Sequence, residues 1–228
     1  MSGLLLALLA AAGGAVIGTV THQLNQVWAR GEEEATEPPL PVEPVWAPAL
    51  DAVALGFLFW RFGLNPRSLA AAVFMVVLVQ VFVFDARHRL ILNRVMYPAM
   101  VVALLASPLS PLLQGETGLG KIDSAVLGAV VGGGIFLVFV LVSRGGIGLG
   151  DAKLTFFMGA VLGMLPIATS PIIKALIYGI VIGGVIAALL LISRLRGMRD
   201  FIPYGPYLCI GGAAAVLFPC GLFGPTTC

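Results

Sequence analysis

Two aspartates at the ends of apolar segments are the residues whose type and placement could do chemistry. Asp85 directly follows the apolar run VFMVVLVQVFVF, and Asp151 directly follows Gly148-Leu149-Gly150. Ionisable residues at the ends of membrane spans are costly, which makes them functional candidates. Two carboxylates that approach each other share one proton, because like charges a few ångströms apart resist simultaneous ionisation. The ionised partner can then act as a general base on water while the protonated partner polarises a carbonyl group.

Each aspartate taken alone also has a purely structural interpretation. An acid at a helix N-terminus is favoured by the free N–H groups and the helix dipole, which would explain Asp151. Asp85 could be an interfacial anchor beside Arg87 and Arg89. The glycines before Asp151 favour the catalytic interpretation, because they remove side chains where a substrate backbone would have to come close.

The composition predicts that a lipid bilayer surrounds most of the chain. Of the 228 residues, 59% are hydrophobic and 11% are charged, and the mean hydropathy is +1.04. An ordinary soluble domain carries about 25% charged residues. A soluble globule of this size could not bury so much apolar surface. The net charge of +2 and the lack of a basic run argue against a nucleic-acid partner.

Apolar segments suited to crossing a bilayer, which takes about 20 helical residues, follow one another along the chain. Backbone groups in lipid must pair internally, so these segments are predicted to be helices rather than strands. The expected fold class is therefore all-α, a polytopic transmembrane helix bundle of about eight spans. Asp51 interrupts the second span, and the sixth span is short. The predicted spans are 3–25, 46–62, 68–84, 94–113, 123–143, 152–166, 168–193 and 203–222.

The distribution of basic residues predicts the orientation of the bundle. The N-terminal segment lacks the positive charges of a signal peptide, so we interpret it as a retained first span with its N-terminus outside. The loops after odd-numbered spans, with their flanks, then hold nine basic residues against four on the other side, which places them in the cytoplasm. Asp85 and Asp151 fall on this cytoplasmic face. The nine are Arg30, Arg87, Arg89, Arg94, Arg144, Lys153, Arg194, Arg196 and Arg199, and the four are Arg61, Arg67, Lys121 and Lys174.

We expect residues 1–228 to form a single membrane domain, with a short acidic, Pro-rich cytoplasmic linker over 28–48. The three cysteines form no CxxC pair, so a zinc site built on cysteines is not available. Cys220 and Cys228 either form a disulfide, if the tail lies outside the cytoplasm, or remain two unpaired thiols. The glycine runs 132–134 and 211–212 suit close helix packing.

Three motifs, in order, resemble those of the type IV prepilin peptidases, a family of GxGD aspartic peptidases. The segment GIGLGDAKL, residues 146–154, resembles the GxGDxK signature, with Gly148, Gly150, Asp151 and Lys153 in register.

The other two motifs lie on either side of this signature. The segment DARHRLILNR, residues 85–94, resembles the family's first aspartate motif; Asn93 matches its last position, while Leu92 stands where the family usually has proline. The segment IPYGPYL, residues 202–208, resembles the family's IPFGPFL segment and contributes Pro203, Gly205 and Pro206 as site-shaping residues. The resemblance covers about residues 68–222, which would form the peptidase core.

The resemblance implies an enzyme that cleaves the basic leader from type IV prepilins or pseudopilins at the cytoplasmic face of the inner membrane. The cut falls after a glycine and before the substrate's hydrophobic helix. Asp85 and Asp151 would be the catalytic pair, without metal or organic cofactor, and Gly148 and Gly150 would shape the turn that places Asp151. Lys153 would tune the charge of Asp151, bind substrate, or simply extend to the interface.

The resemblance fails in the region between the first two spans. Many members of the family also methylate the new N-terminus and carry two zinc-binding CxxC pairs in an extra cytoplasmic domain. Residues 28–48 contain no cysteine, so we expect the methyltransferase part to be missing or degenerate. The run Glu32-Glu33-Glu34 is either a solvated patch or an attraction site for a basic leader, and His88 either contacts the site or lies in a solvated loop.

Three other interpretations remain open. A presenilin-type GxGD enzyme would have Tyr before the first aspartate and a later Pro-Ala-Leu, whereas Phe84 precedes Asp85 here and no Pro-Ala-Leu follows Asp151. A small ion- or proton-coupled transporter could use the two aspartates as a relay. A catalytically inactive homologue would be expected to lose at least one of the two acids.

Overall fold

The structure, a computed structural model, describes residues 3–29, 45–109, 123–143, 148–165, 171–193 and 204–218. Within these ranges the chain forms eight α-helices and no strand, which confirms the predicted all-α fold. A short 3₁₀ turn over Ser107–Leu109 follows the fourth helix. The helices are α1 (Gly3–Ala29), α2 (Trp46–Phe62), α3 (Pro66–His88), α4 (Asn93–Ala106), α5 (Asp123–Val142), α6 (Leu149–Met164), α7 (Pro171–Ile192) and α8 (Gly205–Leu217).

The helices present an apolar surface of the kind that lipid requires. By length and composition, α1, α3, α5 and α7 could each cross a membrane, and α8 is a shorter apolar helix. Apolar side chains such as Leu8, Val138 and Val181 point outward and are each more than half exposed. A soluble monomer rarely exposes so much contiguous apolar area. The chain is therefore a multi-pass membrane protein.

Consecutive helices pair as antiparallel hairpins around α3. The helix pairs α1–α2, α5–α6 and α7–α8 pack closely, while α3 contacts α8, α2 and α1, and α4 packs on α6. Phe74, Met75 and Leu78 of α3 are almost fully buried. The ring of Phe74 lies 5.6 Å from that of Phe157 on α6, which links the central helix to the α5–α6 hairpin.

Glycines bring α5 and α6 into backbone contact. A Cβ on Gly159 would overlap the carbonyl oxygen of Gly128, and a Cβ on Gly132 would lie 2.6 Å from the carbonyl oxygen of Thr155. Each helix therefore uses a small-xxx-small pattern, Gly128/Gly132 on α5 and Gly159/Gly163 on α6. Of the predicted run 132–134, the first two glycines lie at helix contacts, whereas Gly134 has open space beside it.

Helix α3 extends at both ends beyond the apolar segment that predicted it. The helix begins with a capping box in which the Asn65 side chain accepts a hydrogen bond from the Ser68 N–H, at 2.9 Å. It continues past the apolar residues to His88, and it stops because Arg89 adopts the left-handed conformation (φ 53°). The Arg89 N–H donates to the Asp85 carbonyl at 2.8 Å. Asp85 thus lies in the last helical turn rather than in a loop.

The polar residue in α2 does not break that helix. Asp51 is completely buried, and its Oδ2 accepts a hydrogen bond of 2.8 Å from the Gln80 side chain of α3. Gln80 in turn accepts a bond of 3.3 Å from Asn25 of α1. Gly18 leaves room for the carboxylate, because a Cβ there would lie 2.7 Å from Asp51 Oδ2. These side chains tie α1, α2 and α3 together.

Several predicted features fall wholly or largely outside the described residues. They include Pro203, the tail cysteines Cys220 and Cys228, and Glu32 to Glu34. The linker expected over 28–48 is bounded by α1, which ends at Ala29, and α2, which begins at Trp46. The fourth helix ends at Ala106, before the limit of the apolar segment that predicted it.

Candidate active site

Asp85 lies in the last turn of α3, packed against the first residue of α8. Its side chain is only 4% exposed. A Cβ on Gly205 would overlap Asp85 Oδ2 and lie 3.0 Å from its Cγ, so any side chain at position 205 would displace the carboxylate. Among the described residues, Oδ2 has no hydrogen-bond partner. A buried acceptor of this kind is available for a water molecule or a substrate.

Asp151 lies in the first turn of α6 and is also buried, at 6% exposure. Its N–H donates to the Gly148 carbonyl at 3.2 Å, and the Gly148 backbone hydrogen-bonds to the Asp151 carboxylate. Thr155, one turn further on, donates from its hydroxyl to the Asp151 carbonyl at 3.0 Å. The side chain of Asp151 is therefore held by the start of its own helix.

Shared neighbours bring the two aspartates close to each other. Gly205, which packs on Asp85, and Gly150, which precedes Asp151, both lie against Ile91. Cys209 is buried one turn after Gly205 on α8. The ends of α3, α6 and α8 therefore meet at one point. The parity of an antiparallel bundle places all three ends on the same side, and the contacts at Gly205 and Gly150 bring them together.

Ile91, in the connection between α3 and α4, packs between two of the site glycines. A Cβ on Gly150 would lie 3.1 Å from Ile91 Cβ, and a Cβ on Gly205 would lie 3.4 Å from Ile91 Cδ1. Ile91 is 9% exposed and so forms an apolar wall of the site. The glycines at positions 150 and 205 thus allow Ile91 and the Asp85 carboxylate to pack directly against the backbone.

Two other predicted site residues bind each other. The Lys153 Nζ donates to Asn93 Oδ1 at 2.6 Å and lies 5.0 Å from the centre of the Tyr97 ring. This pair joins the start of α6 to the start of α4 at the exposed end of the bundle. Pro206 is buried in the first turn of α8, where a missing N–H costs nothing.

Sequence reasoning did not select Ile91 or Cys209 as site residues. The sequence signal for Cys209 is its position one helical turn after Gly205, which places both residues on the same face of α8. Ile91 is an apolar residue within the motif that runs from Asp85 to Asn93. His88, by contrast, stacks on Phe84 with ring centres 4.5 Å apart and interacts electrostatically with His22 of α1. It lies in a helix, not in a solvated loop.

Comparison with known proteins identifies the family. The model of the type IV leader peptidase family matches residues 72–192, more than half of the chain. The chain therefore belongs to the type IV leader peptidase family. The matched segment contains both aspartates and ends before the IPYGPYL motif. No solved structure matches the chain.

Three curated relatives carry the name prepilin leader peptidase/N-methyltransferase. The protein from Bacillus subtilis is 30% identical over 161 residues, which cover 69% of this chain and 59% of the relative. The protein from Xanthomonas campestris is 28% identical over 190 residues, covering 80% and 61%. The protein from Pseudomonas aeruginosa is 28% identical over 173 residues, covering 73% and 55%. The chain thus spans about three fifths of the length of these relatives.

Proposed function

We propose that this chain is an aspartic endopeptidase that removes the leader peptide from type IV prepilins or pseudopilins, using water activated by Asp85 and Asp151. The observation that carries the proposal is that two buried carboxylates, from helices distant in sequence, lie on either side of the Gly205–Ile91–Gly150 contact in a member of the type IV leader peptidase family. The three relatives described above are named for leader peptidase activity.

The proposed reaction uses the pair as one acid–base unit. The ionised carboxylate takes a proton from water, and the resulting hydroxide adds to the scissile carbonyl carbon. The protonated carboxyl donates a hydrogen bond to the carbonyl oxygen and stabilises its developing charge. The tetrahedral intermediate then collapses, the C–N bond breaks, and the leaving amine takes a proton from the pair. The unpartnered Oδ2 of Asp85 is a suitable acceptor for the attacking water.

The bare backbone around the pair supports a peptide substrate. A Cβ at Gly205 would occupy the place of the Asp85 carboxylate and one at Gly150 would press on Ile91, whereas a Cβ at Gly148 would meet nothing closer than 3.8 Å. A substrate must be extended where its backbone is attacked, and it then needs room on both sides of the scissile bond. The Lys153–Asn93 pair stands at the exposed rim, where polar groups of a leader would pass.

We place the active site at the cytoplasmic face of the inner membrane. Nine of the thirteen basic residues fall on the side of Asp85 and Asp151 under the predicted topology. The substrate would insert its apolar helix into the same bilayer and leave its basic leader in the cytoplasm.

We also propose that this chain has no methyltransferase activity of the cysteine-dependent kind. The relatives are named for both activities, whereas residues 28–48 contain no cysteine that could hold zinc. The mature product formed by this chain in the presence of a methyl donor should then lack the mass of an added methyl group.

The test of peptidase function is prepilin cleavage in membranes. Wild type is compared with Asp85→Asn, Asp151→Asn and the control Asp123→Asn, which makes the same change at an exposed aspartate in the first turn of α5. Wild type and the control should cleave, and the first two variants should accumulate in the membrane without cleaving. Cleavage at the wild-type rate by either of these variants would contradict catalysis by the pair, and cleavage by both would favour a transporter that uses the aspartates as a relay.

A further inference from the structure

An apolar groove enters the bundle between α2, α3 and α8, directly below the candidate active site. Its volume is about 360 Å³ and its lining is almost wholly apolar. Phe82 of α3 and Cys209 of α8 lie at its upper end, and Met75 and Leu217 lie at its lower end. Val53 of α2, 70% exposed, lies where the groove opens to the outside of the bundle.

One end of the groove lies within about one helical turn of residues at the candidate active site. Phe82 precedes Asp85 by three residues, and Cys209 follows Gly205 by four, so both lie about 5 Å along their helices from the site. From Cys209 the groove follows α8 to Leu217, a further ~12 Å or about two helical turns. Its axis therefore points from the aspartates into the bilayer.

We propose that this groove binds the first two turns of the apolar helix that follows the substrate's cleavage site. The proposal rests on the function proposed above. A substrate segment that enters lipid must be helical to pair its backbone groups, so a peptidase at the membrane edge meets an extended leader followed immediately by a helix. The groove has the length, direction and apolar lining to take the side chains along one face of that helix.

Small residues in the lining favour a helix as the occupant of the groove. Ala54 of α2 and Ala213 of α8 line the groove, and small side chains let the backbone of another helix approach closely within a membrane. An acyl chain would also find the lining compatible, but nothing would fix its position relative to the aspartates. A helix seated in the groove would present the peptide bond just before it to Asp85 and Asp151. The groove would thus set the cleavage position.

The experiment fills the groove and compares two substrates. Ala213→Phe and Ala54→Phe place a ring in the groove, while Val181→Phe adds the same ring at an exposed position on α7. One substrate is a synthetic prepilin segment, a basic leader ending in glycine followed by an apolar helix of about 20 residues. The other is the same peptide truncated shortly after the scissile bond.

The groove variants should lower kcat/KM for the helix-bearing substrate about tenfold and leave the truncated peptide unaffected. Val181→Phe should change neither. Unchanged cleavage of the helix-bearing substrate by both groove variants, or equal losses on both substrates, would overturn the groove proposal while the peptidase assignment stands. If the wild-type protein cleaves neither substrate, the proposed function itself fails.

A second measurement identifies the occupant directly. A photoreactive phenylalanine analogue placed at position 53 should crosslink to the substrate helix, and the same analogue at position 181 should not. Crosslinking from position 53 to lipid alone, in the presence of a substrate that the protein cleaves, would overturn the assignment of a helix to the groove.

Discussion

The properties of Asp85 and Asp151 depend on neighbours that have no side chain. Asp85 keeps its place because position 205 is glycine, and Asp151 is held by the backbone of Gly148. Both carboxylates could be selected from the sequence, because each lies at the end of an apolar segment and within a motif that resembles the family's. The contact between Asp85 and Gly205 could not be predicted from the sequence, because it depends on which helix packs beside α3.

A methyl group at position 205 should impair catalysis without unfolding the protein. Gly205→Ala would place its Cβ on Asp85 Oδ2 and displace the carboxylate, and a displacement of this size costs about 10²-fold in kcat. The control Gly184→Ala adds the same methyl where a Cβ meets nothing within 4 Å. Steady-state cleavage kinetics measures both. Equal activity in the two variants would show that Asp85 has more room than the structure gives it.

At the scale of the helix, the sequence predicted the existence of every helix that the structure describes but not its ends. Lipid leaves the backbone little choice other than a helix, so apolar length is a sufficient signal. The signal ends with the apolar residues, whereas α3 continues through Arg87 and His88 until Arg89 turns left-handed. Asp51 interrupts the apolar pattern of α2, yet the helix is continuous because Gln80 on another helix accommodates the carboxylate.

The contact between α5 and α6 provides a prediction with a matched control in the same hairpin. Gly159→Ala should lower thermal stability and cleavage activity, because its Cβ would meet the backbone of Gly128 and force the two helices apart. Gly134→Ala, with open space beside it, should instead be neutral or stabilise by up to about 1 kcal/mol through helix propensity. Thermal unfolding in detergent compares the two. A Gly159→Ala variant as stable as wild type would contradict the close backbone contact.

At the scale of the whole molecule, the antiparallel order of the eight described helices places three motif ends on one side. Their shared side follows from parity, which could be read from the number of predicted spans. The rotation of each helix about its own axis could not be read from the sequence, because it is set by the packing of Phe74, Phe157 and the glycines. The apolar groove between α2, α3 and α8 results from that packing, and no motif in the sequence marks it.

The predicted orientation can be measured by labelling from each side of the membrane. In a variant whose native cysteines are replaced, Arg94→Cys should react with an impermeant thiol reagent only from the cytoplasm. Leu64→Cys, in the exposed turn between α2 and α3, should react only from the outside. The reverse pattern would put the catalytic pair on the outer face and contradict cytoplasmic cleavage of prepilins.

The most direct test of the central claim is a rate comparison among wild type, Asp85→Asn, Asp151→Asn and the double variant on one prepilin substrate. If the two carboxylates act as a unit, each single substitution should lower the cleavage rate about 10³-fold. The double variant should then be no slower than either single variant, because the loss of one carboxylate already abolishes the joint acid–base action. The claim would be contradicted by a single variant that cleaves at the wild-type rate, or by a double variant whose loss is the product of the two single losses.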